Sequence, residues 1–330
     1  MPATTLPPTK VFARYDGGPP SLAPLALDLL SAQRETWDQL AAGVASLATV
    51  RVREIRCDGY SVNLQFNPGR IVSTSAKVDA ATIRERRCFL CIENLPLPQQ
   101  GILYRDTFLV LCNPAPIFLG HYTVSHVEHR PQRLDGNLLA FLMLARDFSP
   151  KFTVFYNGPK CGASAPDHLH FQVSPSGEIP IERLAVLAEH QRTVFDEEGI
   201  RVSRLGGVGR AVILVEGDDT DGIAAVLTNL MDRMKAVLGD EGEAKVNILC
   251  AYDDGRWRLI IFPRGRHRPE AFFREGDNRV MISPAAVDIG GLVITPLERD
   301  FLRTDAALIR QIFAEVSVSD QQLDEILGAA

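Results

Sequence analysis

The chain contains the segment Asn157-Gly-Pro-Lys-Cys-Gly-Ala-Ser-Ala-Pro-Asp-His-Leu-His-Phe-Gln172. Behind its glycine-rich part, His168, His170 and Gln172 follow one another at two-residue spacing. In a β-strand this spacing directs the three side chains to one face, with neighbours about 7 Å apart. Two imidazoles and an amide make a poor hydrophobic core, because each buried polar tip needs its own hydrogen-bond partner. The segment therefore predicts a strand face that belongs to a functional site.

The rest of the chain alternates between strand-like and helix-like patterns. In the first half we predict helices at 21–46 and 134–148 and strands at 49–56, 60–66, 107–112, 121–125, 153–156 and 169–173. In the second half we predict helices at 181–198 and 220–238 and strands at 211–216, 245–252 and 256–262. Turn residues near 175–180 divide the two halves. We therefore expect an α+β fold with mainly antiparallel strands, an N-terminal catalytic domain over residues 1–180 and a C-terminal domain over residues 181–330.

The composition is that of a globular protein. The 330 residues are 46% hydrophobic and 23% charged, with a formal net charge of −6. This charge argues against a nucleic-acid partner or an anionic membrane, although a local basic pocket for phosphate is compatible with it. The N-terminus has no apolar segment of the kind a signal peptide needs, and no run of about 18 apolar residues follows. We expect a cytoplasmic protein.

Cys88-Phe-Leu-Cys91 has the spacing at which a turn brings two thiolates to one metal ion. A redox pair is the alternative, but it would need a preceding core strand and a following helix. Here a helix-like stretch precedes the pair and two prolines follow it. The pattern favours zinc, and the nitrogen ligands that the sequence offers are His121, His126, His129 and His168.

The order of these motifs resembles the histidine-triad superfamily, in its transferase branch, which includes diadenosine tetraphosphate phosphorylase and galactose-1-phosphate uridylyltransferase. The resemblance rests on Cys88-x-x-Cys91, Asn113-Pro-x-Pro116, the segment 120–129 with its Gly-His pair, the glycine-rich loop, and His168-x-His170-x-Gln172. It extends over nearly the whole chain and is strongest for an uncharacterised bacterial group with a phosphorylase-like C-terminal domain. It implies an antiparallel sheet with flanking helices, built from two fused halves.

The resemblance also implies the ligands of a structural zinc ion: Cys88, Cys91, His129 and His168. Four protein ligands leave no open position for a reacting water.

His170 is the predicted nucleophile, since a neutral imidazole can attack the α-phosphorus of a nucleotide and form a covalent nucleotidyl-histidine. Its other ring nitrogen must then donate its proton to an acceptor, which we expect to be a backbone carbonyl. Gln172 can donate an amide N–H to a phosphoryl oxygen. In the loop, Asn157, Lys160 and Ser164 offer further donors and charge, although a plain glycine-rich turn is the alternative.

Two other polar clusters are candidates for substrate binding. The resemblance places Asn67, Arg70 and Lys77 at the substrate pocket, where the two basic residues suit phosphates. In the second half, Arg264 and His267 lie in a basic run that resembles the phosphorylase pattern and can meet a polyphosphate or a sugar phosphate. For both clusters a solvated surface loop is the alternative.

These observations predict a nucleotidyltransferase, of the phosphorylase type, that cleaves a nucleoside polyphosphate or a nucleotide sugar and passes the nucleotidyl group to phosphate or a sugar phosphate. A hydrolase of the same superfamily is the first alternative, against which Gln172 counts because hydrolytic members carry a third histidine there. A nucleotide-binding or metal-sensing protein without turnover is the second. The base and the acceptor stay open, as does the choice between monomer and homodimer.

Overall fold

The computed structural model describes residues 6–76 and 78–328. Its β-strands are β1 Val11–Tyr15, β2 Arg51–Cys57, β3 Tyr60–Phe66, β4 Gly101–Tyr104, β5 Phe108–Cys112, β6 Tyr122–His126, β7 Phe152–Asn157, β8 His170–Pro175, β9 Gln191–Glu197, β10 Ile200–Leu205, β11 Ile213–Gly217, β12 Val246–Asp253, β13 Arg256–Pro263 and β14 Leu292–Thr295.

The α-helices are α1 Leu22–Thr36, α2 Asp38–Ser46, α3 Ile71–Thr74, α4 Ala80–Glu85, α5 Leu138–Phe148, α6 Pro180–Ala185, α7 Thr220–Leu238, α8 Glu270–Phe273, α9 Ala286–Ile289, α10 Glu298–Arg303, α11 Ala306–Val316 and α12 Asp320–Leu327. In the described part of the chain, no helix has both the length and the apolar composition needed to cross a membrane.

Eleven strands form one sheet in the order β1-β4-β5-β6-β8-β7-β12-β13-β11-β10-β9. All neighbours are antiparallel except β1 and β4. The sheet contains the same unit twice: three strands, a helix and two more strands, in which the fifth strand lies between the third and the fourth. The helix is α5 in the first half and α7 in the second. The halves join through their fourth strands, β7 and β12, so the predicted pair of fused halves in an α+β fold is confirmed.

The two faces of this sheet pack into separate cores. Phe171 and Val173 of β8 belong to the core beneath α1, α5 and α7. His170 and Gln172 alternate with them and point to the opposite face. On that face a small sheet of order β14-β3-β2, together with α9 and α11, covers the second half. The predicted functional face therefore lies beside the small sheet rather than in a core.

Two helix predictions differ from the structure. The helix predicted at 21–46 is broken at Trp37, whose backbone is extended (φ −135°, ψ 96°), and becomes α1 and α2. The helix predicted at 181–198 is wrong beyond Ala185, because β9 follows and pairs with β10, a strand that the sequence did not predict. Both residues of the connecting turn, Glu198 (φ 53°) and Gly199 (φ 78°), adopt the positive φ that tight hairpins need. The predicted division at residue 180 falls between β8 and β9 and stays a prediction.

Candidate active site and metal cluster

His170 begins β8 and is 3% exposed. Its Nδ1 lies 2.8 Å from the carbonyl oxygen of His168. A carbonyl can only accept, so Nδ1 carries the proton and Nε2 keeps a lone pair. Burial lowers the pKa of His170 to about 4. The imidazole is therefore neutral near pH 7, in the tautomer that a nucleophile at Nε2 requires.

Gln132 holds the main chain of His170. The side-chain Oε1 of Gln132 accepts from the His170 amide at 2.7 Å, and its Nε2 donates to the carbonyl oxygens of His170 and Asn157, both at 2.9 Å. Gln132 is 1% exposed. Its amide thus bridges β7 and β8 where the intervening loop separates them. Nothing in the sequence around Gln132 indicates this role.

His121 fixes the orientation of Gln172. The amide of Ile117 donates to Nδ1 of His121 at 3.2 Å, so the proton of this buried ring is on Nε2. Nε2 donates to Oε1 of Gln172 at 2.9 Å. Burial lowers the pKa of His121 to about 3, which keeps the ring neutral. With its oxygen occupied, Gln172 has its amide N–H groups available for a ligand.

Asn157, at the end of β7, is oriented by the second half of the molecule. Its Oδ1 accepts from Nδ2 of Asn247 and from the amide of Ala286, both at 2.8 Å. Arg264 in turn donates to Oδ1 of Asn247. The side-chain oxygen of Asn157 therefore has two donors, and the side-chain N–H groups of Asn157 are free to bind a ligand.

One pocket brings residues of both halves together on this face. Five predicted residues line it: Arg70, Asn157, Ser164, Gln172 and His267. Arg268, from the predicted basic run, also lines it, together with the polar residues Ser73, Thr74, Ser283 and Asp288. No motif used in the sequence analysis indicated Ser283 or Asp288.

His170, two residues before Gln172, does not itself line this pocket, and the other predicted binding residues that the structure describes also lie outside it. Asn67 is 1% exposed and donates to Oε1 of Gln65 and to the carbonyl of Pro116. Lys160 is exposed and does not line the pocket. Arg264 is fully buried behind the pocket, where it donates to the carbonyl oxygens of Val316, Pro284, Arg266 and His267. Lys77 lies outside the described residues.

The predicted zinc ligands form a cluster next to β8. One ligand atom from each of Cys88, Cys91, His129 and His168 lies within 4.8 Å of the other three. Sγ of Cys88 is 3.3 Å from Nδ1 of His168, and Sγ of Cys91 is 3.2 Å from Nδ1 of His129. Tetrahedral zinc would separate sulfur and nitrogen ligands by about 3.5 Å, given its usual bond lengths. The spacing therefore fits a four-coordinate ion.

The tautomer of His168 also fits a metal ligand. Its Nε2 donates to the carbonyl of His126 at 2.8 Å, which leaves the lone pair on Nδ1 directed at the two cysteines. Burial, followed by the neighbouring Cys88, raises the pKa of Cys91 to about 12 in the absence of an ion. A metal cation would reverse this, since a coordinating thiol loses its proton. Nδ1 of His126 accepts from the Glu128 amide, and Nε2 of His121 donates to Gln172. Neither histidine is therefore part of the cluster.

Two families match consecutive parts of the chain. The family described as a domain of unknown function (DUF4922) matches residues 29–175, and the GDPGP1-like, C-terminal domain matches residues 185–328. No curated protein sequence matches the chain.

Among solved structures, yeast Ap4A phosphorylase Apa2 has the same fold, with a TM-score of 0.58 at 15% identity over 90% of this chain and 94% of the yeast chain. Its complex with AMP gives 0.57 at 16% identity over 89% and 98%. Its complex with Ap4A gives 0.53 at 15% identity over 86% and 97%. The resemblance is thus confirmed: the chain has the fold of the Ap4A phosphorylase, and its second half matches the GDPGP1-like C-terminal domain.

Proposed function

We propose that the protein is a nucleotidyltransferase of the phosphorylase type, in which His170 takes a nucleotidyl group from a nucleoside polyphosphate or a nucleotide sugar and passes it to phosphate or a sugar phosphate. The observation that carries this proposal is the fixed tautomer of His170, with Nδ1 held by the His168 carbonyl. A buried neutral imidazole with one protonated and one free nitrogen is suited to nucleophilic attack.

The reaction would proceed in two displacements. In the first, Nε2 of His170 attacks the α-phosphorus, the N–P bond forms, and the bond from phosphorus to the leaving oxygen breaks. In the second, an oxygen of the acceptor attacks the same phosphorus, and the N–P bond breaks. The Nδ1 proton stays in place throughout, and the His168 carbonyl stabilises the positive charge that the ring carries while it is bonded to phosphorus.

Neutral donors around the pocket would stabilise the phosphoryl oxygens. Gln172 and Asn157 have their carbonyl oxygens occupied, so their N–H groups can bind anionic oxygens without changing protonation state. Ser164 adds a hydroxyl from the loop. A glutamine cannot transfer a proton as a histidine can. The pattern therefore favours transfer to an acceptor that is already an anion over transfer to water.

The cluster of cysteines and histidines would hold zinc in a structural role. Its four ligands leave no position for substrate. By fixing His168, the ion would also fix the carbonyl to which His170 donates its proton. Support for a nucleotide substrate comes from the yeast protein of the same fold, which is named an Ap4A phosphorylase and has been solved with AMP and with Ap4A.

The test is adduct formation. Purified protein is incubated separately with Ap4A, ATP, UDP-glucose, GDP-glucose and ADP-glucose, quenched rapidly, and examined by intact-protein mass spectrometry beside a His170→Asn variant. A mass gain of one nucleotidyl group in the wild type alone supports the proposal and identifies the base.

Two other outcomes favour the alternatives. An adduct that transfers to water as fast as to phosphate would favour a hydrolase. If no donor gives an adduct and turnover is absent, while nucleotides raise the Tm of wild type and variant equally, the protein is a binding protein.

A further inference from the structure

We propose that Arg268, from the second half of the molecule, binds the phosphate group that departs in the first displacement and the phosphate group that attacks in the second. The ligand is a phosphate group, whether free or carried by a sugar. This inference rests on the proposed function and specifies its acceptor. It assigns to the second half the recognition of that acceptor, whereas the first half supplies the nucleophile.

Arg268 is the one member of its basic run that brings charge to the pocket. Arg264 is fully buried and bonded to the protein itself. Arg266 is exposed and does not line the pocket. Burial, followed by the charge of Arg268, lowers the pKa of His267 to about 4, so His267 is a neutral hydrogen-bonding group near pH 7. Of the four residues, only Arg268 is a cation that lines the pocket.

The guanidinium of Arg268 is held in place before any ligand arrives. Nε donates to Oγ of Ser283 at 2.8 Å, and Nη2 donates to the carbonyl of Ala76 at 2.9 Å. The group lies over the ring of Phe272, 4.2 Å from its centroid. These contacts engage two of its three nitrogens and leave Nη1 for a ligand. A preorganised arginine loses little conformational freedom on binding an anion.

No carboxylate among the described residues forms an ion pair with Arg268 or with Arg70, which lines the same pocket. Arg70 donates to the carbonyl of Ala115 at 2.6 Å. The acidic residue that faces them, Asp288, accepts from the amides of Ala285 and Ile294. Burial raises the pKa of Asp288 to about 6, so this carboxyl is partly protonated near pH 6. The charge of Asp288 acts on Arg70. Arg268 is therefore the cation of this pocket without an acidic partner among the described residues, as expected for a site whose ligand is an anion.

The same subsite must serve both displacements. The leaving oxygen and the attacking oxygen occupy the same side of the phosphorus, opposite His170, because the second step reverses the geometry of the first. An arginine that neutralises the departing phosphate therefore binds the incoming one. In the second step an oxygen of the bound phosphate forms the new P–O bond and the N–P bond breaks, with its electron pair returning to Nε2.

The experiment isolates the second step. The nucleotidyl-enzyme is prepared with whichever donor forms it, freed of donor, and mixed with increasing inorganic phosphate or, in a second arm, glucose 1-phosphate. For Arg268→Gln we expect the half-saturating concentration to rise about tenfold to a hundredfold, the effect of losing a charged hydrogen bond. Arg268→Lys should recover part of the loss. Arg266→Gln, its exposed neighbour, should match the wild type.

An unchanged phosphate dependence in Arg268→Gln would overturn the inference even if the adduct forms normally. The two arms show whether free phosphate or a sugar phosphate is the better acceptor. A separate measurement does not depend on the adduct: calorimetric titration of inorganic phosphate into His170→Asn, with and without Arg268→Gln. Lost binding in the double variant supports the subsite. Equal binding in both proteins refutes it, whereas failure of the wild type to form an adduct refutes the proposed function.

Discussion

The two halves of the molecule have the same strand order, but they connect their fourth and fifth strands differently. In the first half, residues 158–169 separate β7 from β8 and carry the glycine-rich loop and His168. In the second half, a two-residue turn, Asp254 (φ 48°) and Gly255 (φ 78°), joins β12 directly to β13. The face that carries His170 and Gln172 in β8 carries Arg258 and Ile260 in β13. The short turn has no room for a loop like the one that brings Ser164 to the pocket in the first half.

The two halves have the same strand order but contribute different groups to the pocket. In the second half Arg258 is ion-paired with Glu216 at 2.8 Å, so that face holds a salt bridge where the first half holds His170, the nucleophile that we propose. The second half contributes instead through the segment after β13, which supplies His267, Arg268 and the wall from Ser283 to Asp288. In the function that we propose, one half carries the chemistry and the other closes the pocket.

The largest expected effect concerns the metal cluster. Within residues 6–76 and 78–328 one such cluster is found, and it belongs to the first half. We expect the wild type to contain about one zinc per chain. Cys91→Ser should lose it and lower the Tm by roughly 10 °C or more, since the free energy of binding a structural metal adds to folding. Zinc content is measured by elemental analysis, and Tm by calorimetry.

Cys57→Ser is the matched control, since Cys57 is a partly buried thiol in the small sheet and outside the cluster. It should keep the metal and most of the stability. Equal zinc content and equal Tm in the two variants would show that the cluster is not a metal site.

The second prediction compares the two connections directly. Gly162, in the loop of the first half, has φ +92°, and a Cβ there would lie 2.5 Å from Cβ of Ala285. Gly255, in the turn of the second half, has φ +78° and no atom within 4 Å of the same point. Gly255→Ala should cost about 1 kcal/mol for the positive φ. Gly162→Ala should cost about 3 kcal/mol, because the contact with the pocket wall adds to that penalty, and it should also lower transfer activity.

Urea denaturation measures both losses of stability. Similar losses in the two variants would mean that the loop of the first half does not pack against the second half as the structure shows.

The third prediction concerns the orientation of Gln172. His121→Phe keeps a ring against Phe155 but removes the N–H that binds the Gln172 oxygen. We expect kcat to fall about tenfold to a hundredfold, less than the roughly hundredfold to thousandfold lost when such a donor is removed altogether, with little change in KM. The Tm should fall as well, because the buried Ile117 amide loses its acceptor. Phe118→Leu alters the packing around His121 and leaves the hydrogen bond intact, so it serves as control.

A double-mutant cycle with Gln172→Ala gives the decisive comparison. If His121 acts through Gln172, the two losses are not additive. Full additivity would assign His121 a separate role.

The sequence predicts best those parts of the site that are local. The alternation of His170 and Gln172 is a property of β8, and the structure places that strand as expected. His168 precedes β8 and lies in the metal cluster, so the predicted face of three side chains holds for His170 and Gln172 only. The four cluster residues also come together, because two of them share a short turn. The helix predicted at 181–198 failed because β9 is an edge strand, exposed on nearly every residue, so it lacks the alternation that identifies a strand.

The parts of the site that the sequence could not predict depend on long-range pairing. Arg268 and Asp288 reach the pocket only because β7 pairs with β12, which brings the segment after β13 over the loop. The basic run containing Arg264 and Arg268 shows four similar residues. Only the structure shows that Arg264 bonds to the carbonyl of Val316, 52 positions away, and is buried. Charged residues can be counted from a sequence, but the direction in which each charged side chain points cannot be read from it.

The smallest expected effect tests how tightly the halves are coupled. Glu243, which precedes β12, accepts from the amide of Leu134 at 2.7 Å and from the hydroxyl of Tyr156 at 2.8 Å, both in the first half. Burial raises the pKa of Glu243 from 4.5 to about 7. The folded protein therefore retains a proton that the unfolded chain releases. The stability linked to this proton is complete below about pH 4.5 and is lost as the pH rises through 7.

Glu243→Gln cannot ionise, so its Tm relative to the wild type should increase by a few degrees between pH 5 and pH 8. Glu241→Gln, at an exposed position on the same segment, should follow the wild type. The difference between the curves is the relevant quantity, since other groups titrate in both proteins. A constant difference between Glu243→Gln and the wild type across this range would mean that Glu243 is ionised throughout. The junction between the halves would then be open to water at Glu243.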